Sequence, residues 1–214
     1  MQIEQQQKGN GGVRERLLQT ALEVFAEQGF KNTTVRDICF QADVNVASVN
    51  YYFGSKQKLY EDVCRHSVGA AGEAPPIFPL DDTAAPEEQL SCFIQQFMRT
   101  ILLRGSSSLQ GKIMAREMME PTQALQIIVR EIIRPRQKQL SAIIGEILGD
   151  SADEALLRRC CFSIVGQCLY YRFARVVAQE LQPNLDFDEK TVAEIAQHIT
   201  LFTMQALRGI AREA

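Results

Sequence analysis

Between Thr33 and Lys58 the chain runs TTVRDICFQADVNVASVNYYFGSKQK, a stretch punctuated as two short helices and the capped start of a third. Thr34 followed three residues later by Asp37 has the form of a capping box: a short side chain accepts from orphan amides, and a carboxylate sits near the positive end of the helix dipole. Val35, Ile38, Cys39 and Ala42 then share one apolar stripe. Asp43-Val44-Asn45 interrupts the pattern, and Asn45 is a good N-cap for a second helix. In that second helix Val49 and Phe53 are the inward anchors, while Ser48, Asn50, Tyr51 and Tyr52 carry hydrogen-bonding groups on the remaining surface. Gly54 can end the helix in a left-handed conformation, and Ser55 caps the next one. Two short helices across a tight turn, the second rich in polar side chains near its start, suit entry into a major groove.

These residues, with the helix before them, carry a family resemblance. The run from Val13 to about Tyr60 resembles the N-terminal DNA-binding domain of TetR-family transcriptional regulators: Ala21, Phe25, Gly29, Thr34, Ile38, Ala42, Val44, Tyr51, Phe53, Lys56 and Leu59 fall in register, and NYYFGSK ends the recognition helix. The resemblance implies an all-α fold, with a three-helix helix-turn-helix head and a larger helical-bundle body for ligand binding and dimerisation. It also implies a homodimer that represses by binding a palindromic operator on double-stranded DNA and is released by a small-molecule effector.

The expected organisation is a disordered arm over residues 1–12, a DNA-binding domain over 13–60 and a helical effector-binding and dimerisation domain over 61–214. The arm, MQIEQQQKGNGG, is polar and lacks periodicity. Val13, Leu17, Leu18, Ala21, Leu22 and Phe25 recur at helical spacing up to Gly29. From Gly69 to Pro86 clustered prolines and small residues forbid a continuous helix. Beyond it, helices are expected over Glu87–Leu103, Leu109–Met119 and Pro121–Leu148, the last kinked at Pro135. Ala155–Leu181 is apolar on more than one face, and Val192–Ile210 carries Ile195, Ile199, Phe202 and Leu207. Such a terminal pair lies deep in a core or meets a second copy of itself. The resemblance favours the second, placing the dimer contact at 155–181 and 189–211.

Base edges specify sequence and phosphates position the protein. Asn45, Val46, Ala47, Ser48 and Asn50 are the expected groove-facing residues, with Thr34, Tyr51, Tyr52 and Lys56 on phosphates. Where the family often has a lysine or arginine this chain has Val46, and where it often has a tyrosine it has Asn50. Valine can touch a thymine methyl and asparagine can pair bidentately with adenine, so the expected half-site has A·T pairs at its contacted centre. For the body, a small apolar or aromatic effector is expected against Phe93, Phe97, Met114, Met118, Phe162, Gln167, Tyr170 and Phe173. Flexible methionines and aromatics suit such a pocket, and they suit an ordinary helical core as well. Residues 115–144, AREMMEPTQALQIIVREIIRPRQKQLSAII, further resemble the C-terminal domain of the CecR subgroup, in which an R-E-x-x-x-P-T element precedes a proline-interrupted helix. That subgroup is associated with transport and drug-susceptibility genes.

Charge and composition set bounds. The first 70 residues carry eight Lys/Arg against eight Asp/Glu, so non-specific counterion release is modest and binding has to rest on a few placed groups. The six cysteines show no C-x-x-C spacing and fall on apolar stripes, as reduced thiols of a cytoplasmic protein do. No apolar run is long enough for a membrane span. The only histidines are His66 and His198, and there is no phosphate-binding glycine loop, H-E-x-x-H or nucleophile elbow, so neither an enzyme, a metal nor a cofactor is expected. The alternative is a DNA-binding regulator without a small ligand that answers to a protein partner.

Overall fold

The computed structural model describes residues 12–66, 78–103, 108–149 and 152–212 in full, and the backbone alone at 2–11, 67–69, 104 and 213. Among these every regular element is helical: α1 (Gln2–Asn32), α2 (Val35–Gln41), α3 (Val46–Tyr52), α4 (Lys56–Gly69), α5 (Pro86–Arg99), α6 (Leu109–Met119), α7 (Leu125–Ile128), α8 (Arg134–Leu148), α9 (Glu154–Phe173), α10 (Arg175–Leu181) and α11 (Glu189–Glu213). Two π-helical turns, Thr100–Arg104 and Val129–Ile133, come directly after α5 and α7. Residues 1–11 of the arm expected over 1–12, and 69–77 of the linker expected over 69–86, lie outside the fully described residues.

The chain forms two compact units, and the division does not keep to sequence order. Residues up to Glu73 join Ser108–Glu131 in the first, and Ala74–Ser107 join Ile132–Ala214 in the second. The boundary expected after residue 60 therefore falls inside α4, and α6 and α7 count with the head. The cause is burial: Ile113 of α6 and Ala124 before α7 lie in the same core as Leu17, Phe25, Ile38, Val49, Leu59 and Tyr60. Each fully buried large side chain there contributes about 1.5–3 kcal/mol of transfer free energy. Phe25 meets Tyr60 edge-on at 4.8 Å between ring centroids, and Phe30 covers Tyr60 at 5.0 Å. Gly29 adopts φ 79°, the left-handed region, and bends the chain before Asn32.

In the second unit α11 lies along α5 and also packs on α8 and α9. Leu90, Ile94 and Met98 of α5 face Leu140 and Ile144 of α8, and Val192, Ala196 and Ile199 of α11. Phe78 enters this core from the preceding segment. Gln139 of α8 accepts from its N–H at 3.0 Å and donates to its carbonyl at 2.8 Å, while the Arg136 guanidinium lies 4.8 Å over its ring.

Two expected helices are divided. The segment after Pro121 is not one kinked helix: it is the short α7, a π turn, and then α8 with Pro135 in its first helical turn. Proline lacks an N–H and its ring displaces a carbonyl one turn earlier, and the wider π turn accommodates both. Ala155–Leu181 breaks at Ala174, after which Arg175 stacks over Phe187 at 4.6 Å. All six cysteines are free thiols. Burial pushes Cys161 up to about 11, and Cys64 and Cys168 up to about 12, so none of these three is a ready thiolate. No helix among the described residues is long and apolar enough to cross a membrane.

Candidate nucleic-acid interface

The interface is built from the small helices α2 and α3, each set by its own cap. Thr34 accepts from the Asp37 N–H at 3.2 Å, and the Asp37 carboxylate accepts from the Thr34 N–H at 2.9 Å, completing the expected capping box. The Thr34 hydroxyl also donates to that carboxylate at 2.7 Å, and these bonds hold the Asp37 carboxyl below its ordinary value. The expectation that the Thr34 hydroxyl holds a phosphate meets this directly. Its proton is committed to a carboxylate, and that charge disfavours a second anion at the same helix end.

Between the helices Asp43 takes φ 51°, and the Arg16 side chain of α1 donates to the Ala42 carbonyl at 3.0 Å, tying the turn to the long helix. Asn45 then accepts from the Ala47 N–H at 2.8 Å as N-cap of α3. With one lone pair of its oxygen used there, Asn45 still has its amide N–H groups to offer a base or phosphate. Val49 is buried and Phe53 closes the inner side, with Arg14 stacked 5.1 Å over the Phe53 ring. The opposite face of α3 therefore presents Val46, Ala47, Asn50 and Tyr51, with Val46 42% and Tyr51 75% exposed. Ser48 and Tyr52 are half-buried, and Tyr52 meets Tyr51 edge-on at 4.9 Å. One solvent-facing strip thus joins a β-branched apolar group, an amide and a phenol. That is the equipment for thymine-methyl contact, adenine recognition and phosphate bonding.

Lys56 differs from its expected use. Its ammonium donates at 2.7 Å to the carbonyls of Phe30 and Thr33 and lies 4.3 Å over the Phe30 ring. Sequence spacing alone put it on a phosphate; the fold turns it inward because the end of α1 leaves carbonyls that need donors. Burial lowers its pKa from the ordinary value.

Several residues of this surface escape a reading of pattern alone. Phe40 on α2 is 87% exposed, one helical turn after the exposed Arg36, and neither belongs to the apolar stripe that identifies the helix. Arg116 and Glu117 of α6 also serve the head; their only sequence signal is the R-E-x-x-x-P-T element.

The expected effector residues do not form one cluster within either unit. Phe93 and Phe97 do meet, their centroids 6.3 Å apart, in an aromatic cluster closed by Phe78 at 5.1 Å from Phe93. Met114 and Met118 belong to the first unit and the other six to the second. Phe162, Tyr170 and Phe173 are at least 47% exposed. The inward stripe of α9 is Cys160, Cys161, Ile164 and Cys168, and those three aromatics, expected to line a pocket, lie on its other side. Gln167 is half-buried and donates to its own helix at the Ser163 carbonyl. Val176, Val177 and Leu181 of α10, and Leu201 and Phe202 of α11, are exposed apolar residues as well. Among the described residues no cluster of His, Cys, Asp or Glu could hold a metal ion.

Comparison with known proteins finds two matching segments in sequence order, the second running through α6 and α7. Residues 17–63 match the family described as bacterial regulatory proteins, tetR family, and residues 86–207 match the C-terminal domain of the HTH-type transcriptional dual regulator CecR. The chain is 26% identical over 211 residues to the dual regulator CecR of Shigella flexneri, covering 94% of each chain. It is also 26% identical over 206 residues to the transcriptional repressor NicS of Pseudomonas putida, covering 93% of this chain and 92% of that one. Among solved structures, AibR in complex with isovaleryl coenzyme A and operator DNA shares the fold with a TM-score of 0.60, at 15% identity over 85% of this chain and 94% of that one.

Proposed function

The chain belongs to the TetR family of bacterial transcriptional regulators, in the group with the CecR-type C-terminal domain, and from that premise we propose that it is a homodimeric repressor released from a palindromic operator by a small-molecule effector. The carrying observation is the outer face of α3, where Val46, Ala47, Asn50 and Tyr51 stand exposed on a helix backed by buried Val49 and Phe53. Asn50 would take adenine, Val46 a thymine methyl, and Tyr51 a phosphate. Two copies joined through the exposed faces of α9, α10 and α11 would set two such helices about 34 Å apart, one DNA turn.

The second unit supports the effector half of this reading. A small apolar or aromatic effector would meet the aromatic cluster of Phe78, Phe93 and Phe97, which pack together in the core of this unit. AibR, which shares the fold, binds an acyl-coenzyme A together with operator DNA. NicS, a relative along nearly the whole chain, is a repressor. An effector that binds one arrangement of the two heads more tightly by about 1–3 kcal/mol lowers operator affinity roughly 5- to 150-fold.

The test is an electrophoretic shift of the intergenic DNA upstream of the protein's own gene, using wild type and Tyr51→Ala. A salt-sensitive shift in wild type that Tyr51→Ala loses supports the reading and supplies the operator for effector screening. Equal binding by both proteins would place the DNA contacts elsewhere.

A further inference from the structure

Arg116 and Glu117 are adjacent on α6, and their side chains grip two different helices of the same unit. Arg116 closes the end of α1: its Nε donates to the Ala26 carbonyl at 3.1 Å and its Nη2 to the Glu27 carbonyl. The next three carbonyls each have their own donor: Asn32 for Gln28, the Thr33 hydroxyl for Gly29, and Lys56 for Phe30. The last carbonyls of a helix lack partners within it and carry its negative end, so a guanidinium placed there both satisfies and neutralises them. The guanidinium passes close to Gly29. A Cβ at that position would stand 3.0 Å from Arg116 Nη1.

Glu117 is 1% exposed, and its carboxylate collects three donors. The Tyr60 hydroxyl of α4 donates at 2.8 Å, and the Thr122 hydroxyl and N–H each donate at 3.0 Å. A buried carboxylate without such donors is costly, so the three bonds hold α4 and the turn after α6 to one geometry. In the R-E-x-x-x-P-T element the arginine therefore holds α1, the glutamate holds α4, and the threonine folds back to complete the glutamate. Tyr60 lies one turn beyond Lys56 on α4, and Lys56 holds the Thr33 carbonyl immediately before the cap of α2. The turn from Gly29 to Thr34, which leads into the two small helices, is thus bounded by Arg116 on one side and Lys56 on the other.

We propose that Arg116 and Glu117 are positioning residues for operator binding: they touch no DNA, and through α1 and α4 they fix the angle at which α2 and α3 are presented. The proposal rests on the reading of α3 as the operator-contacting helix. It makes operator affinity depend on side chains more than fifty residues beyond that helix in sequence.

The experiment measures operator affinity by fluorescence anisotropy, as a function of salt, for the full chain and its Arg116→Met, Arg116→Lys, Glu117→Gln and Tyr60→Phe variants. All are compared at a temperature where circular dichroism and sedimentation match wild type. Losing hydrogen bonds to a charged group corresponds to roughly tenfold weaker binding for Arg116→Met and Tyr60→Phe. Arg116→Lys should recover part of the loss, and Tyr60→Phe with Glu117→Gln should cost little more than either alone. The slope of affinity against salt should not change, because no phosphate contact is removed. Wild-type affinity in a folded, dimeric Arg116→Met or Tyr60→Phe protein would overturn the proposal, as would a flatter salt slope in Arg116→Met, which would put that arginine on a phosphate. If Arg116→Met does not fold, Tyr60→Phe decides, since it removes one oxygen and keeps the packed ring. Absence of any specific DNA binding by wild type would instead overturn the regulator reading itself.

Discussion

The ammonium of Lys56 lies 4.3 Å over the ring of Phe30 and hydrogen bonds at 2.7 Å to the same residue's carbonyl. With the second bond to Thr33, also at 2.7 Å, it closes the break between α1 and α2. Lys56→Met should therefore lower Tm by several degrees, because two charge-assisted bonds and a cation–π contact are lost. Operator affinity should fall with the salt slope intact. A side chain that held a phosphate would instead flatten the slope by about 0.9. Thermal melts and anisotropy titrations at three salt concentrations separate the two roles.

Asn50 and Asn45 lie on one short helix and should behave differently when truncated. Asn50→Ala should leave stability nearly unchanged and relax base preference at one position, by about 1–3 kcal/mol of discrimination against the wrong base. Asn45→Ala removes the N-cap of α3 and should cost about 1 kcal/mol of stability, with affinity falling alike on all sites. Binding-site selection with each purified variant reports the first effect, and chemical denaturation reports the second.

Phe202 of α11 is 61% exposed and Phe162 of α9 is 62% exposed, far more than a core aromatic tolerates. Phe162→Glu with Phe202→Glu should convert the dimer to a folded monomer and reduce operator affinity by at least about 100-fold, since one head replaces two. Sedimentation velocity and a shift assay on the same samples check it. A double variant that remains dimeric would move the interface off these helices.

Gly29 has φ 79°, and a Cβ there would stand 3.0 Å from Arg116 Nη1. Gly29→Ala should destabilise by more than about 1 kcal/mol, and in Arg116→Met part of that cost should vanish, because the obstructing guanidinium is gone. A denaturation cycle over the four proteins measures the coupling.

The buried thiols give a pH dependence. Burial raises Cys64 and Cys168 to about 12 and Cys161 to about 11 from an ordinary value of 9.0. The folded state keeps these protons while the unfolded chain begins to lose them near pH 9. Stability is then fully present below that pH and is lost as pH rises towards 11 or 12. The urea midpoint should fall between pH 8.5 and 10.5, and Cys168→Ala should flatten the fall. Ellman's reagent at pH 8 should label these three thiols only after unfolding.

The helix-turn-helix was legible in the sequence because its signals are local. A capping box, an N-cap, a left-handed glycine and an apolar stripe each act within about one helical turn. The inward side of α3 was legible for the same reason, since Val49 and Phe53 sit at helical spacing. Much of the second unit's helical content came from periodicity.

The tertiary structure decided which charges face inward and which helices share a core. Lys56 has the same sequence neighbours whether it holds a phosphate or the end of α1, and only the approach of the Phe30 and Thr33 carbonyls settles its position. Phe162 and Phe173 are as apolar as Phe93; the side of α9 turned to the core sets them apart, and that depends on packing against distant helices. Residues 108–131 join the head because Ile113, Glu117 and Ala124 meet partners about fifty or more residues earlier in the chain. Hydrophobic burial has no direction along a sequence. The periodic pattern could state that α6 has a buried face, and only the folded chain determined that α1 and α4 cover it.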